Sequence, residues 1–107
     1  VKGKTALIVD DEIGTGGTVV ATAEALKKYG ASKIYCAVTH PVLSGTASAQ
    51  LEESDVTKIL VTDTLPITED KLKDKMEVLS VAPMLREAIH RIHSGLSVGE
   101  MFEASED

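Results

Sequence analysis

Short apolar runs alternate with segments of helical periodicity along most of this chain. Runs rich in branched residues predict four strands at 5–9, 33–39, 58–62 and 76–81. The first run shows no polar alternation, which is typical of a strand buried on both faces. Helical spacing predicts helices over 19–29 and 47–53, and a last helix that begins near Pro83 and ends at Gly95.

This order of elements, β-α-β-α-β-β-α, favours parallel strands joined by right-handed crossovers. The sequence therefore predicts an α/β fold: a mostly parallel sheet of about four strands flanked by helices. The last helix carries an apolar stripe for packing, formed by Leu85, Ala88, Ile89 and Ile92. The acidic end, 103–107, is expected to be a solvated tail.

Composition narrows the classes of function. The 107 residues suit one domain, and a net charge of −6 with two Tyr, one Phe and no Trp argues against nucleic-acid or anionic-membrane binding. The single cysteine, Cys36, excludes an internal disulfide and is expected in the core, which favours a reducing, cytoplasmic location. No apolar run reaches the length of a membrane span, and the absence of an initial Met suggests a piece of a longer protein.

One segment carries the candidate chemistry: VDDEIGTGGT, residues 9–18, which follows a strand and opens a helix. Three glycines in four positions let backbone N–H groups approach an anion closely. Thr15 and Thr18 add hydroxyl donors, and the helix adds its positive end. The segment therefore predicts a site for a terminal phosphate monoester.

Asp10 and Asp11 add a different component. Carboxylates at the end of a strand can accept hydrogen bonds from vicinal sugar hydroxyls, or hold Mg²⁺ directly or through water. Three consecutive acids, 10–12, would repel a bare anion, so a sugar phosphate with Mg²⁺ fits the segment better. Alternation along an extended backbone is expected to point Glu12 away from Asp11.

Two kinds of alternative exist for this segment. It could be a turn with no ligand, or it could be another kind of nucleotide-binding loop. Glycine-rich turns between strands and helices are common, and acids near a helix start stabilise the helix alone. The segment lacks the G-x-x-x-x-G-K-[ST] pattern of a nucleotide P-loop and the G-x-G-x-x-G spacing of a dinucleotide site. A phosphate site at the strand-to-helix turn is the favoured interpretation.

VDDEIGTGGT resembles the phosphoribosyl-diphosphate loop of type I phosphoribosyltransferases and their relatives. VKGKTALIVDD before the loop, AEALKKYGASKIYCAVTHPVLSG after it, and then VTDTLPI and LREAIHRIHSGLSVGEMF are similar to the C-terminal half of the ribose-phosphate diphosphokinase family. The resemblance covers essentially the whole chain through several independent motifs. It implies that 1–107 is a single phosphoribosyltransferase-like domain, the C-terminal half of a longer enzyme.

The resemblance implies a kinase-type transferase of nucleotide biosynthesis. Such an enzyme moves a diphosphoryl group from ATP to ribose 5-phosphate, with Mg²⁺, to make phosphoribosyl diphosphate and AMP. Asp10 and Asp11 match the family's paired acids, which meet the ribose hydroxyls and the metal-bound ligand. Ser97 falls in a tail region that contributes to a regulatory phosphate and nucleotide site, and homo-oligomers are expected. The residues that match the family's 5-phosphate-binding loop are Gly14, Thr15, Gly16, Gly17 and Thr18.

The chain also departs from the family pattern. The family commonly has an acid at the position of Gly14 and an apolar residue at that of Glu12, and many regulated members have Ser at that of Gly99. Nothing here matches the ATP-binding N-terminal half, its His and Asp metal ligands or its catalytic Lys and Arg segment. No catalytic residue is therefore assigned within this chain, ATP is expected to bind mainly through the absent half, and the chain alone is expected to be inactive.

Two other functions stay open at this point. A phosphoribosyltransferase would use the same loop to hold the ribosyl donor, and a non-catalytic family member would act as a regulatory or scaffold subunit.

The three histidines of the chain are weaker candidates for ligand or metal binding. His90 and His93 have a spacing that a metal site could use, but a solvated face is favoured for both. His40 is expected at the ligand-binding edge of the sheet, where a loop-stabilising hydrogen bond is favoured over a ligand role.

Overall fold

The computed structural model describes residues 1–103 and builds one four-stranded sheet in the order β1-β2-β3-β4. Every neighbouring pair of strands is parallel, which confirms the predicted α/β fold. The strands are β1 (Thr5–Ile13), β2 (Lys33–Pro41), β3 (Lys58–Thr62) and β4 (Met76–Leu79). The helices are α1 (Gly17–Lys28), α2 (Ala47–Glu53), α3 (Ala82–His93) and α4 (Glu100–Glu103).

The core lies on one face of this sheet. Strand alternation turns every second side chain of β2 and β3 toward α1 and α2, and these side chains are buried. The helices contribute the small or branched residues that fit against them. The buried side chains of these four elements include Ile34, Cys36, Val38, Ile59, Val61, Val19, Ala23, Ala47 and Leu51.

The opposite face of the sheet is exposed, so the expectation that β1 is buried on both faces is wrong for this chain. Leu7 is 63% exposed and Val9 is 72% exposed. Leu60 and Leu79 continue the exposed apolar surface across β3 and β4. The physical reason is that α1 and α2 both pack on the core face, and no element of residues 1–103 covers the other. We call Leu7, Val9, Leu60 and Leu79 the open sheet face.

The last long helix, α3, is also unpacked. It begins at Ala82 with Pro83 in its first turn, as the sequence predicts. Its apolar stripe is exposed rather than packed, with Leu85 at 53%, Ile89 at 66% and Ile92 at 69%. The predicted stripe exists, but nothing in the described part of the chain buries it.

The start of α3 is tied to the end of β3 by Asp63. The Asp63 Oδ1 atom accepts a hydrogen bond of 2.8 Å from the N–H of Val81. Hydrogen bonds from the Ser80 hydroxyl and the Val81 N–H hold the pKa of the Asp63 carboxyl below its ordinary range. This contact fixes where the chain leaves β4.

A lowered pKa in the folded state makes the contact sensitive to acid. The stability that Asp63 contributes is present above its unfolded-state pKa and is lost as the pH falls through the lower folded-state pKa. We expect Asp63→Asn to flatten the pH dependence of thermal unfolding in this acidic window. An unchanged pH dependence in the variant would contradict this role, and Asp55→Asn serves as the control at an exposed acid outside this contact.

Cys36 is a core residue, as the sequence predicts. Its side chain is buried in β2, and burial, together with the nearby charge of Asp10, raises the pKa of its thiol to about 11. The thiolate is the reactive form, so we expect a thiol reagent at pH 7.5 to leave folded protein unlabelled and to label it fully in denaturant. Rapid stoichiometric labelling of the folded chain would show that this strand is accessible.

The structure bears on the predicted acidic tail and on membrane spanning. Of the predicted acidic tail, 103–107, only Glu103 lies within the described residues, and it ends α4. Among the described helices, none combines the length and hydrophobicity needed to cross a lipid bilayer.

Candidate functional site

The acidic residues of the candidate site belong to strand β1. The sequence places the strand end at Val9, but β1 continues to Ile13. Pairing with β2 extends it, since Asp10 lies opposite Val38 and Glu12 opposite His40. The carboxylates are therefore held on a paired strand at the carboxyl edge of the sheet, where α/β proteins bind their ligands.

The turn after β1 is anchored to the segment that follows β2. The N–H of Leu43 donates to the carbonyl of Ile13 at 2.9 Å, and the N–H of Ser44 donates to that of Gly14 at 2.8 Å. Leu43 adopts a φ of 52°, uncommon for a residue with a side chain, while its side chain is 1% exposed. Two carbonyls of the turn therefore accept hydrogen bonds from the loop that follows β2. No motif in HPVLSG signals this support, so the sequence did not predict it.

Gly16 brings this turn into contact with the core. Its φ is 84°, in the left-handed region that favours glycine. A Cβ at this position would lie 3.5 Å from Cγ of Leu51 and 3.7 Å from Cβ of Ala47. The turn therefore rests directly on helix α2, and Leu51 forms its floor.

Helix α1 begins immediately after this turn and leaves N–H groups available. The Val20 N–H is the first to bond back, to the Gly16 carbonyl at 2.9 Å. The earlier N–H groups of the first turn have no intrahelical carbonyl, and Gly17 N–H has only a long contact of 3.5 Å with Thr15 Oγ1. With the positive end of the helix dipole, these groups can receive an anion.

The predicted site residues line a single concave pocket of about 290 Å³. Its lining contains every predicted ligand residue, together with Glu12, Ile13 and Val19. No Lys, Arg or His of the described chain is among the lining residues, so an anion here would depend on N–H groups and hydroxyls. The predicted residues that line it are Asp10, Asp11, Gly14, Thr15, Gly16, Gly17 and Thr18.

The two aspartates interact with each other. The N–H of Asp11 donates to Oδ1 of Asp10 at 2.8 Å. A hydrogen bond with the Asp10 side chain lowers the pKa of the Asp11 carboxyl, and backbone N–H groups and the charge of His40 lower it further. Asp11 is therefore an anion at neutral pH, suited to accept hydrogen bonds from hydroxyls or to bind a cation.

The donor set can be tested against Mg²⁺. No cluster of three or more His, Cys, Asp or Glu side chains within residues 1–103 could hold a metal alone. Mg²⁺ is usually bound through one or two carboxylates, with water and substrate phosphate completing its shell. The exposed pair Asp10 and Asp11 fits that mode.

The three histidines and Ser97 lie outside this pocket. His40 Nδ1 is 2.9 Å from Thr64 Oγ1, which is the loop-stabilising hydrogen bond that the sequence favours. His90 and His93 are exposed on α3, as expected, and neither belongs to a metal-binding cluster of residues 1–103. Ser97 is exposed between α3 and α4, and its carbonyl accepts a hydrogen bond from Arg91 at 3.0 Å.

The sequence matches the phosphoribosyl synthetase-associated domain family over residues 1–103. The chain belongs to this family. That relationship agrees with the fold, since a crystal structure of phosphoribosylpyrophosphate synthetase from Mycobacterium smegmatis matches with a TM-score of 0.87 and 43% identity. The match covers 89% of this chain and 32% of that one.

Curated relatives in the family carry a consistent name. A ribose-phosphate pyrophosphokinase from Caldanaerobacter subterraneus is 53% identical over 95% of this chain, and one from Listeria ivanovii is 50% identical over 96%. Each match covers 32% of the relative's own length. The chain thus spans about a third of the curated relatives that it matches.

Proposed function

We propose that this chain is the ribose 5-phosphate-binding part, the C-terminal phosphoribosyltransferase-like half, of a ribose-phosphate diphosphokinase. Such an enzyme transfers diphosphate from ATP to ribose 5-phosphate and forms phosphoribosyl diphosphate and AMP. The observation that carries the proposal is the pocket of residues 10–19, which combines free N–H groups at a helix start with two strand-end aspartates. The names of the relatives support the same reaction.

Each group of the pocket has a separate task in this proposal. The N–H groups of Gly16, Gly17 and Thr18 and the hydroxyl of Thr15 bind the 5-phosphate. Asp10 and Asp11 accept hydrogen bonds from the ribose hydroxyls and orient the anomeric hydroxyl for attack on ATP. Mg²⁺, held by these carboxylates together with ligand oxygens, supplies positive charge that the lining residues lack.

The rest of the machinery is assigned to the part of the protein outside this chain. Phosphoryl transfer needs positive groups at the reacting phosphates, and the pocket contains none. The open sheet face also supports a missing part, because parallel sheets are normally covered on both faces. We therefore assign ATP binding mainly to that part, and propose a cytoplasmic homo-oligomer of nucleotide biosynthesis with Ser97 near a regulatory site.

Calorimetric titration of the complete polypeptide with ribose 5-phosphate and Mg²⁺ tests the proposal. We expect saturable binding that weakens at least tenfold in Asp11→Asn, since one charged acceptor is removed from the sugar. The matched control is Asp55→Asn, an exposed acid in the segment before β3. Absence of binding by the wild-type polypeptide would overturn the proposed function.

A second experiment tests the division of the machinery. Purified residues 1–107 are expected to form no AMP from ATP and ribose 5-phosphate, whereas the complete polypeptide does. Turnover by residues 1–107 alone would refute the division.

Two other functions are distinguished by the same measurements. The absence of basic lining residues and the presence of Gly14, where the family commonly has an acid, favour a non-catalytic regulatory or scaffold member as the second candidate. That candidate predicts binding without turnover in the complete polypeptide. A phosphoribosyltransferase would instead release diphosphate from phosphoribosyl diphosphate when its acceptor is present.

A further inference from the structure

His40 lies at the carboxyl edge of the sheet, beside the acidic end of β1. It is the register partner of Glu12, and neighbouring strands are about 4.8 Å apart. Its charge reaches Asp11, where it helps to lower the pKa of that carboxyl. The imidazole is exposed, so a ligand at the acidic strand end can reach it.

The ring is held in one orientation by a threonine network. His40 Nδ1 is 2.9 Å from Thr64 Oγ1, and Thr64 Oγ1 lies 3.1 Å from the carbonyl oxygen of Thr39. Thr62 Oγ1 donates to the same carbonyl at 2.6 Å and accepts a hydrogen bond from the N–H of Thr64 at 3.2 Å. The segment after β3 thus fixes a side chain at the end of β2.

This network leaves the outer nitrogen of the ring available. Nδ1 is engaged by Thr64 Oγ1, and the direction of that hydrogen bond follows the tautomer of the ring. Within the described chain Nε2 has no hydrogen-bond partner, so it is the atom that can meet a hydroxyl of a ligand.

We infer that His40 is a further ligand-binding residue, whose Nε2 forms a hydrogen bond with a hydroxyl of the sugar held at the Asp10 and Asp11 edge. The inference rests on the proposed function. His40 lies beside the acidic end of β1 and outside the glycine turn, so the hydroxyl-bearing part of the ligand is the part it can meet. His40 would then contact the ribose from β2 while the glycine turn holds the phosphate.

Two substitutions at His40 separate its two nitrogens. The amide of Asn can reproduce the contact that Nδ1 makes with Thr64, whereas the longer Gln can place an acceptor near the position of Nε2. In the complete polypeptide we expect His40→Asn to weaken ribose 5-phosphate binding by about three- to tenfold, the range for one hydrogen bond. We expect His40→Gln to retain more of the affinity than His40→Asn, and the KM for ATP to stay unchanged in both.

His93→Asn is the matched control, because His93 is an exposed histidine on α3 outside the pocket. Nitrogen-15 spectra of the His40 ring provide a readout that a purely structural role would not move. We expect the Nε2 resonance to shift when ribose 5-phosphate is added.

The outcomes separate this inference from the proposed function. If the wild-type polypeptide does not bind ribose 5-phosphate, both the proposed function and this inference are overturned. If the wild type binds but His40→Asn binds equally well, or Nε2 does not shift with ligand, His40 is only a structural residue and the inference alone is overturned.

Discussion

Gly16→Val is expected to abolish ribose 5-phosphate binding and to destabilise the fold. A β-branched residue at a φ of 84° is strained by about 1–2 kcal/mol. A Cβ there would already be in van der Waals contact with Leu51 and Ala47, at 3.5 and 3.7 Å, so the γ-methyl groups of valine would crowd helix α2. To relieve the backbone strain or the crowding, the turn and its N–H groups must move. We therefore expect the affinity for ribose 5-phosphate to fall more than tenfold in calorimetric titration, and the midpoint of thermal unfolding to be lower.

A second glycine provides the control for backbone strain. Gly95 also has a positive φ, 72°, but a Cβ there would meet no atom within 4 Å, and it lies beyond α3, outside the pocket. Gly95→Val should therefore reproduce the backbone strain without the loss of binding. If Gly16→Val binds as tightly as Gly95→Val, the turn does not hold the phosphate.

Local patterns predicted the core side of this fold well. Helix α2 and strand β3 have the predicted bounds, because an amphipathic helical turn and a run of branched residues each define their own ends. Cys36 is buried as predicted, and all of the predicted glycine-turn residues line one pocket. These features depend on neighbours within the same β-α-β unit.

The features that the sequence mispredicted depend on distant partners. The apolar side chains of Leu7 and Val9 led to a prediction of burial, but both are exposed. A local pattern contains no information about whether the element that covers a strand belongs to the same chain. The extension of β1 past Asp10 depends on pairing with β2, which holds three consecutive acids in a strand against their low β propensity. The sequence favoured a loop-stabilising hydrogen bond for His40 but did not identify its partner, because Thr64 lies 24 positions away and no local pattern signals it.

Leu51→Ala is expected to cause the largest loss of stability. Leu51 is fully buried in α2, and truncation of a buried leucine costs about 2–5 kcal/mol because it removes apolar contacts and leaves a cavity. For a domain of this size we expect the midpoint of thermal unfolding to fall by about 10 °C or more. The cavity would open beneath Gly16, so we also expect ribose 5-phosphate affinity to fall in variants that remain folded.

The comparison with Leu7→Ala separates the two faces of the sheet. Leu7 is 63% exposed on the open sheet face, so its truncation in residues 1–107 should change the free energy of unfolding by less than about 0.5 kcal/mol. If the rest of the polypeptide covers this face, the same substitution in the complete protein should cost about 2 kcal/mol and reduce hydrogen-exchange protection along β1. An equally small effect in both contexts would mean that this face is solvated in the complete protein, and that the covering element proposed for it does not exist.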